Sequence, residues 1–347
     1  MDITLIAETF DPSKGGIPRY NYEMAKIKEI KNAIDFSKSL KNESLLDKYL
    51  NKKFRRKKVL EKNAKELGKL LHFTQPEVMV KTEELRKRKI ILTVHDLAVF
   101  GTMKVKGVYG SLRGMSFRKQ FRFAVERADT IMVNSTQTRD ELINILKTDP
   151  GKIVVDNLGI EDKFKPLEVK KEGIIGYFGG FNRRKRVDKL IEDFIASSLN
   201  AKLKLVIFGN NEDYPILKKK YEKFGSVIFK DKIPEEDIVK VINSFDYFIY
   251  PTSYEGFGLP LLECIACGIP SFVYKDAVIP EEVKKYAIEI DKLDDIITKD
   301  YNELQKEFTE KAKKVKEEFS WDKCRANLLE EYKKMLFSLF GSRFLSN

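Results

Sequence analysis

The sequence is poor in the residues that staple small folds or build metal centres. It has three cysteines and two histidines in 347 residues. That excludes a disulfide framework and points to a reducing compartment. Cys264 and Cys267 share a C-x-x-C spacing, but with Cys324 as the only other cysteine a four-ligand zinc site is not expected. Free cysteines of this kind read as small core residues, with a redox role as the alternative. No apolar run approaches the roughly 20 residues that span a bilayer. The start, Met1-Asp2-Ile3-Thr4-Leu5-Ile6-Ala7, lacks a basic segment followed by a long apolar one. It reads as a strand rather than a signal peptide, which sets a cytoplasmic expectation.

What is present is charge and enough apolar residue for real cores: 34% charged, 42% hydrophobic, net +12. The excess is confined to one half. Residues 1–165 hold 34 Lys and Arg against 22 Asp and Glu, whereas the remainder holds 31 of each. The densest runs are Lys52-Lys53-Phe54-Arg55-Arg56-Lys57-Lys58 and Arg86-Lys87-Arg88-Lys89, and basic residues also stud Arg113 to Arg127. Such a half can face anionic lipid or nucleic acid. The plainer alternative is a solvated lysine-rich surface.

Apolar β-like runs alternate with helix-length amphipathic segments. Expected strands are Ile3–Ala7, Ile90–Val94, Thr130–Val133, Ile153–Val155, Ile174–Phe178, Lys204–Phe208, Ser226–Phe229, Tyr247–Tyr250 and Ser271–Tyr274. Segments such as Val187–Ser197, Glu212–Lys223 and Glu235–Ser244 follow the helical period. Asn32–Leu70 reads as charged and helical. This order predicts an α/β chain of two doubly wound, Rossmann-like domains facing a central cleft. The series restarts at a linker near Lys165–Gly173, so the domains are expected at 1–165 and 166–320. A final helical segment, 321–347, is expected to cross back to the first.

Four constellations follow expected strands. Lys14-Gly15-Gly16-Ile17-Pro18-Arg19-Tyr20 joins adjacent glycines to a helix start, which lets backbone approach a ligand, although many such pairs are plain turns. Thr93-Val94-His95-Asp96 puts a histidine at a strand end; a structural histidine is the alternative. Gly179-Gly180-Phe181-Asn182-Arg183-Arg184-Lys185-Arg186 combines flexible backbone with fixed cations, as a diphosphate clamp requires, or forms an exposed charged turn. Tyr254-Glu255-Gly256-Phe257-Gly258-Leu259-Pro260-Leu261-Leu262-Glu263 sets two carboxylates eight positions apart around a glycine turn that opens a helix. A strand, glycine turn and helix present backbone N–H groups to a phosphate, and ionised glutamates accept hydroxyls. That combination suits a sugar attached to a phosphate.

The last motif resembles the E-x7-E signature of the retaining glycosyltransferases of family 4, glycosyl transferases group 1, whose fold is GT-B. Gly15–Tyr20 resembles the family's first glycine loop, Thr93-Val94-His95-Asp96-Leu97 its T-x-H-D-L segment, and Val133-Asn134-Ser135 a strand end. Val155–Ile160 resembles I-P-N-G-I/V, Arg184-Lys185 an R-K pair, and Phe319-Ser320-Trp321 an F-S-W. The likeness covers most of the chain apart from Asn32–Leu70. It implies an acceptor-side first domain and a nucleotide-sugar-binding second domain. It also implies roles. Glu255 would grip sugar hydroxyls, backbone at Gly256, Phe257, Gly258 and Leu259 would hold the distal phosphate, and Glu263 would take the ribose. Arg184 and Lys185 would neutralise the diphosphate, Gly15 and Gly16 would close on it, and His95 would sit beside the reacting sugar.

Three positions depart from the family's pattern: Gly180 stands where an arginine is frequent, Leu158 interrupts the asparagine motif, and Arg186 replaces asparagine or glycine. The resemblance implies transfer of a sugar from a nucleotide diphospho-sugar to a hydroxyl with configuration retained, by same-face attack. No Asp-x-Asp pair occurs, so no metal or other cofactor is expected. The basic half and the aromatic-rich tail Tyr332–Phe344 suggest a glycan or lipid-linked acceptor and a peripheral enzyme on the cytoplasmic membrane face. Two rival readings are a sugar-nucleotide epimerase of the same architecture and a non-enzymatic nucleic-acid binder. The second lacks any recognisable binding module, so no nucleic-acid partner is expected.

Overall fold

The computed structural model describes residues 1–38, 52–101, 107–209 and 213–341, with backbone alone at 107–113 and 339–341. The chain divides into two units, Met1–Leu158 with Trp321–Asn347, and Gly159–Ser320. The first division thus falls at 158/159 instead of 165/166.

The first unit is built on six strands: β1 (Ile3–Ala7), β2 (Asn32–Asp35), β3 (Leu70–Phe73), β4 (Lys89–Val94), β5 (Thr130–Val133) and β6 (Ile153–Val155). They pair in parallel in the order β2-β1-β3-β4-β5-β6. The second unit repeats the plan with β7 (Ile174–Phe178), β8 (Lys204–Phe208), β9 (Val227–Lys230), β10 (Tyr247–Tyr250), β11 (Ser271–Tyr274) and β12 (Ile288–Ile290). Its parallel order is β12-β11-β10-β7-β8-β9. Central strands such as β1 and β3 are buried along their whole length, as parallel sheets covered on both faces require. The chain order reverses between β1 and β3 in one sheet and between β7 and β10 in the other. In doubly wound folds the crevice for ligands opens at such a reversal, beyond the carboxyl ends of the strands.

Helices cover the sheets through apolar stripes. Val187–Ala196 buries Val187, Leu190, Ile191 and Phe194, the i, i+3, i+4, i+7 pattern. Trp321–Gly341 buries Cys324, Leu328, Tyr332 and Leu336, one residue per turn, against the first unit.

Asn32–Leu70 is not uniformly helical. Asn32–Asp35 forms edge strand β2, the helix is Lys52–Lys62, and β3 begins at Leu70. β2 is exposed at Asn32 and Ala33, so it lacks a buried apolar run. Residues 39–51 lie outside the described residues, as do 342–344 of the aromatic tail. The stretch expected as a linker is fastened to the second unit: Leu167 N donates to Asn243 Oδ1 (2.8 Å) and Lys171 Nζ to the Asn243 carbonyl (2.9 Å).

Candidate functional site

In the second unit two of the four constellations follow the neighbouring strands β7 and β10, on either side of the reversal. Arg183–Lys185 is a single 3-10 turn, and it aims two cations at the glutamate that follows β10. Lys185 Nζ lies 2.5 Å from Glu255 Oε1 and Arg184 Nη1 lies 2.9 Å from Glu255 Oε2. Thr252 Oγ1 donates to Glu255 Oε1 (2.6 Å), and Lys185 Nζ donates to Tyr250 Oη (2.8 Å). The Glu255 and Lys185 side chains are 7% and 9% exposed, that of Arg184 23%. Burial pushes the Glu255 carboxyl up, but Lys185 and then Arg184 outweigh it, so the group stays ionised below its ordinary range. Burial, followed by the Glu255 charge, pushes the Tyr250 phenol well up. The cluster is a buried anion held between two cations, on the loops that follow β7 and β10.

Backbone geometry holds the cluster. Arg186 sits in the left-handed region at φ 46, ψ 38, where asparagine and glycine are at ease. That geometry suits the asparagine or glycine common there, and Arg186 adopts it with its side chain bonded in place. The guanidinium secures the turn, donating to the carbonyls of Pro251 (2.7 Å) and Thr252 (2.9 Å) and pairing with Asp276 (2.6 Å). The Glu255 loop is laid along a neighbouring segment, with Glu255 N donating to Val278 O (2.9 Å) and Val278 N to Ser253 O (3.0 Å).

Gly258 has φ 113 and forms the N-cap of the helix Leu259–Ala266, a conformation that L side chains rarely adopt. The first N–H groups of a helix lack intrahelical partners, so the turn Gly256–Leu259 carries donors of the kind an anion takes. Phe257 is buried edge-on against Phe319 (centroids 5.7 Å), so its side chain anchors the turn. Glu263 lies on that helix, 9% exposed. Cys264 and Cys267 are free and buried beside it, and burial pushes the Cys267 thiol up to about 12, the state of inert core residues. Gly180 accepts at its carbonyl from Tyr177 Oη (2.5 Å).

In the first unit the other two constellations follow β1 and β4, the strands on either side of β3. Gly15, at φ 123, precedes the helix Gly16–Met24. Tyr20 of that helix meets His95 edge-on, with ring centroids 5.0 Å apart. His95 is 8% exposed, and its Nε2 donates to the Thr74 carbonyl (3.0 Å), which leaves Nδ1 as the acceptor of the neutral ring. Burial drives its pKa down to about 4, against the raising effects of Thr74 and Asp96. His95 is therefore a neutral hydrogen-bonding group at pH 7. Ser135 of the Val133-Asn134-Ser135 motif caps the next helix, accepting from Thr138 N (3.1 Å).

Sequence reasoning missed Tyr250 and Thr252. Thr252 stands three residues before Glu255 and Tyr250 ends β10, so closeness in sequence to Glu255 was the available signal. It also missed His72, whose ring is fully buried among apolar strands. The basic run is partly structural: Arg56 is buried on Glu8 and the Glu77 carbonyl (2.5 Å), and Lys52 pairs with Glu8 (2.6 Å). Phe54 is 55% exposed beside the exposed Lys53, Lys57 and Lys58. No helix among the described residues is long and apolar enough to cross a membrane.

Residues 160–318 match the family model described as glycosyl transferases group 1. The chain is 23% identical over 273 residues to O-antigen chain mannosyltransferase B of Escherichia coli, covering 72% of this chain and 71% of that protein. Sucrose-phosphate synthase from Thermosynechococcus elongatus superposes with a TM-score of 0.75 at 16% identity, over 97% of this chain and 100% of that one. The Anabaena protein HepE, solved in complex with UDP-glucose, gives 0.72 at 15% identity, over 96% and 99%. Residues 160–318 are thus similar to glycosyl transferases group 1, within a chain of GT-B fold, and together these findings support a glycosyltransferase.

Proposed function

We propose that the protein is a retaining glycosyltransferase of family 4 that moves a hexose from a nucleotide diphospho-sugar to a hydroxyl of a glycan or lipid-linked acceptor. The observation that carries this reading is the Arg184–Lys185–Glu255 cluster at the β7/β10 reversal of a unit similar to glycosyl transferases group 1. HepE in complex with UDP-glucose supports a donor of this class. Neither the family match nor the mannosyltransferase relative favours an epimerase or a nucleic-acid binder.

On this reading, departure of the nucleoside diphosphate builds negative charge on its outer phosphate. Arg184, Lys185 and the N–H groups of Gly256 to Leu259 stabilise that charge more in the transition state than in the ground state. Glu255 fixes the two cations and accepts a sugar hydroxyl, and Glu263 takes the ribose. The leaving phosphate receives the acceptor's proton, and the attack comes from the same face. With two side-chain cations at the diphosphate, no metal or other cofactor is needed. In the first unit Gly15 and Gly16 would let backbone approach a substrate, and the neutral His95 would accept a substrate hydroxyl at Nδ1.

Lys53, Phe54, Lys57 and Lys58 form the exposed face of the basic helix and suit an anionic cytoplasmic leaflet, at ~1 kcal/mol per well-placed cation. Salt-sensitive co-sedimentation with anionic vesicles is expected, and its absence removes the membrane part of the reading. Thermal-shift screening of nucleotide sugars tests the donor site. The wild type should be stabilised, and Glu255→Ala and Lys185→Ala should respond less. Equal responses, or none in the wild type, defeat the assignment.

A further inference from the structure

A buried hydrogen-bonded chain runs from the last helix to the first glycine loop. Tyr332 Oη lies 2.6 Å from His72 Nδ1, His72 Nε2 lies 2.7 Å from Thr93 Oγ1, and Thr93 Oγ1 lies 3.0 Å from Tyr20 Oη. The exposures of Tyr332, His72, Thr93 and Tyr20 are 0%, 0%, 2% and 3%. Tyr20 ends the chain with its ring edge-on to His95, at 5.0 Å and 78°. Burial holds His72 down at about 3, so the ring is neutral. A neutral imidazole donates from one nitrogen and accepts at the other, which makes it a directional link between two hydroxyls. Removing one partner of such a buried bond leaves the other unsatisfied, whereas a satisfied buried network fixes one arrangement.

We propose that Tyr332, His72 and Thr93 are positioning residues that set the orientation of Tyr20, and through it of His95 and the helix beginning at Gly16, for sugar transfer. The proposal rests on the reading of His95 and the Gly15–Gly16 loop as substrate-facing groups. The Arg184–Lys185–Glu255 cluster is held by its own contacts within Gly159–Ser320. The effect of Tyr332, His72 and Thr93 is expected in turnover rather than in donor affinity.

With only two histidines in the chain, their ring nitrogens can be followed separately by 15N NMR of the full-length protein labelled at histidine. Tyr332→Phe keeps the ring and removes one hydroxyl. Leu328→Ala loosens the same helix without touching the chain of hydrogen bonds. The expected result is that Tyr332→Phe shifts the ring nitrogens of both His72 and His95, while Leu328→Ala leaves His95 in place. Release of UDP from UDP-glucose should show kcat lowered about tenfold in Tyr332→Phe, the loss of one well-placed hydrogen bond, with KM within about twofold. A folded Tyr332→Phe in which the His95 nitrogens do not move, or in which kcat equals that of the wild type, overturns the proposal. The NMR comparison decides the coupling whether or not UDP-glucose is the donor, so failure of the transfer reading is seen separately.

Discussion

Lys185→Met separates what the cation does for the fold from what it does for the reaction. Lys185 and Glu255 are 2.5 Å apart with side chains 9% and 7% exposed, so their attraction is about 7 kcal/mol at an effective dielectric constant of 20. Desolvating two charges offsets most of that. The penalty appears when one partner is removed and the other stays charged in the interior, typically about 3–5 kcal/mol. Glu255 would keep Arg184 at 2.9 Å and the Thr252 hydroxyl at 2.6 Å, which places the loss at the low end, about 3 kcal/mol at pH 7. Glu255 is held below its ordinary pKa because Lys185, then Arg184, outweigh burial. Without Lys185 burial gains weight and the folded pKa rises. Protonation then relieves the variant, so its deficit should narrow as pH falls towards 4. Lys185→Met/Glu255→Gln, with the buried charge gone, should recover about 2 kcal/mol but no turnover. Urea unfolding at pH 7 and pH 4.5, with UDP-glucose turnover alongside, reads all of this. A deficit below about 1 kcal/mol at pH 7, or no recovery in the double variant, refutes the reasoning.

Gly258→Ala should lose about 2 kcal/mol in urea unfolding, because φ 113 is closed to alanine and the helix Leu259–Ala266 starts there. His95 has a folded pKa of about 4 against an ordinary 6.5, so the unfolded chain binds the proton first. Its contribution is complete above about pH 6.5 and lost as pH falls to 4, at 1.36 kcal/mol per unit; His95→Gln should flatten the stability curve by about 3 kcal/mol over that window. Asp156 has the opposite sign. Burial raises its pKa to about 6, so folding is penalised as pH rises from 3.8 through 6. Asp156→Asn, still able to accept from Asn327 at 2.9 Å, should gain about 2 kcal/mol at pH 7 and nothing near pH 3.5 by the same denaturation.

The central strands were legible because parallel strands covered on both faces read as unbroken apolar runs, Ile174–Phe178 being a clear case. β2 and β12 were not, since an edge strand with exposed Asn32 and a three-residue strand with exposed Glu289 carry no such run. β3 hid because His72 interrupts Leu70–Phe73, and long-range partners on both ring nitrogens, Tyr332 and Thr93, make a buried histidine acceptable there. At the candidate site the residues could be named from local spacing. That Glu255 is gripped by Arg184 and Lys185, some seventy positions earlier, depends on β7 and β10 being neighbours, which no local pattern records.

The central claim is retained transfer from a nucleotide diphospho-sugar, and NMR of the sugar released from anomerically pure UDP-glucose or GDP-mannose tests it most directly. The account predicts release of the nucleoside diphosphate together with a first-formed sugar product of the donor's own anomeric configuration, abolished in Lys185→Met. An inverted product, an epimerised nucleotide sugar, or no release from any nucleotide sugar would contradict it.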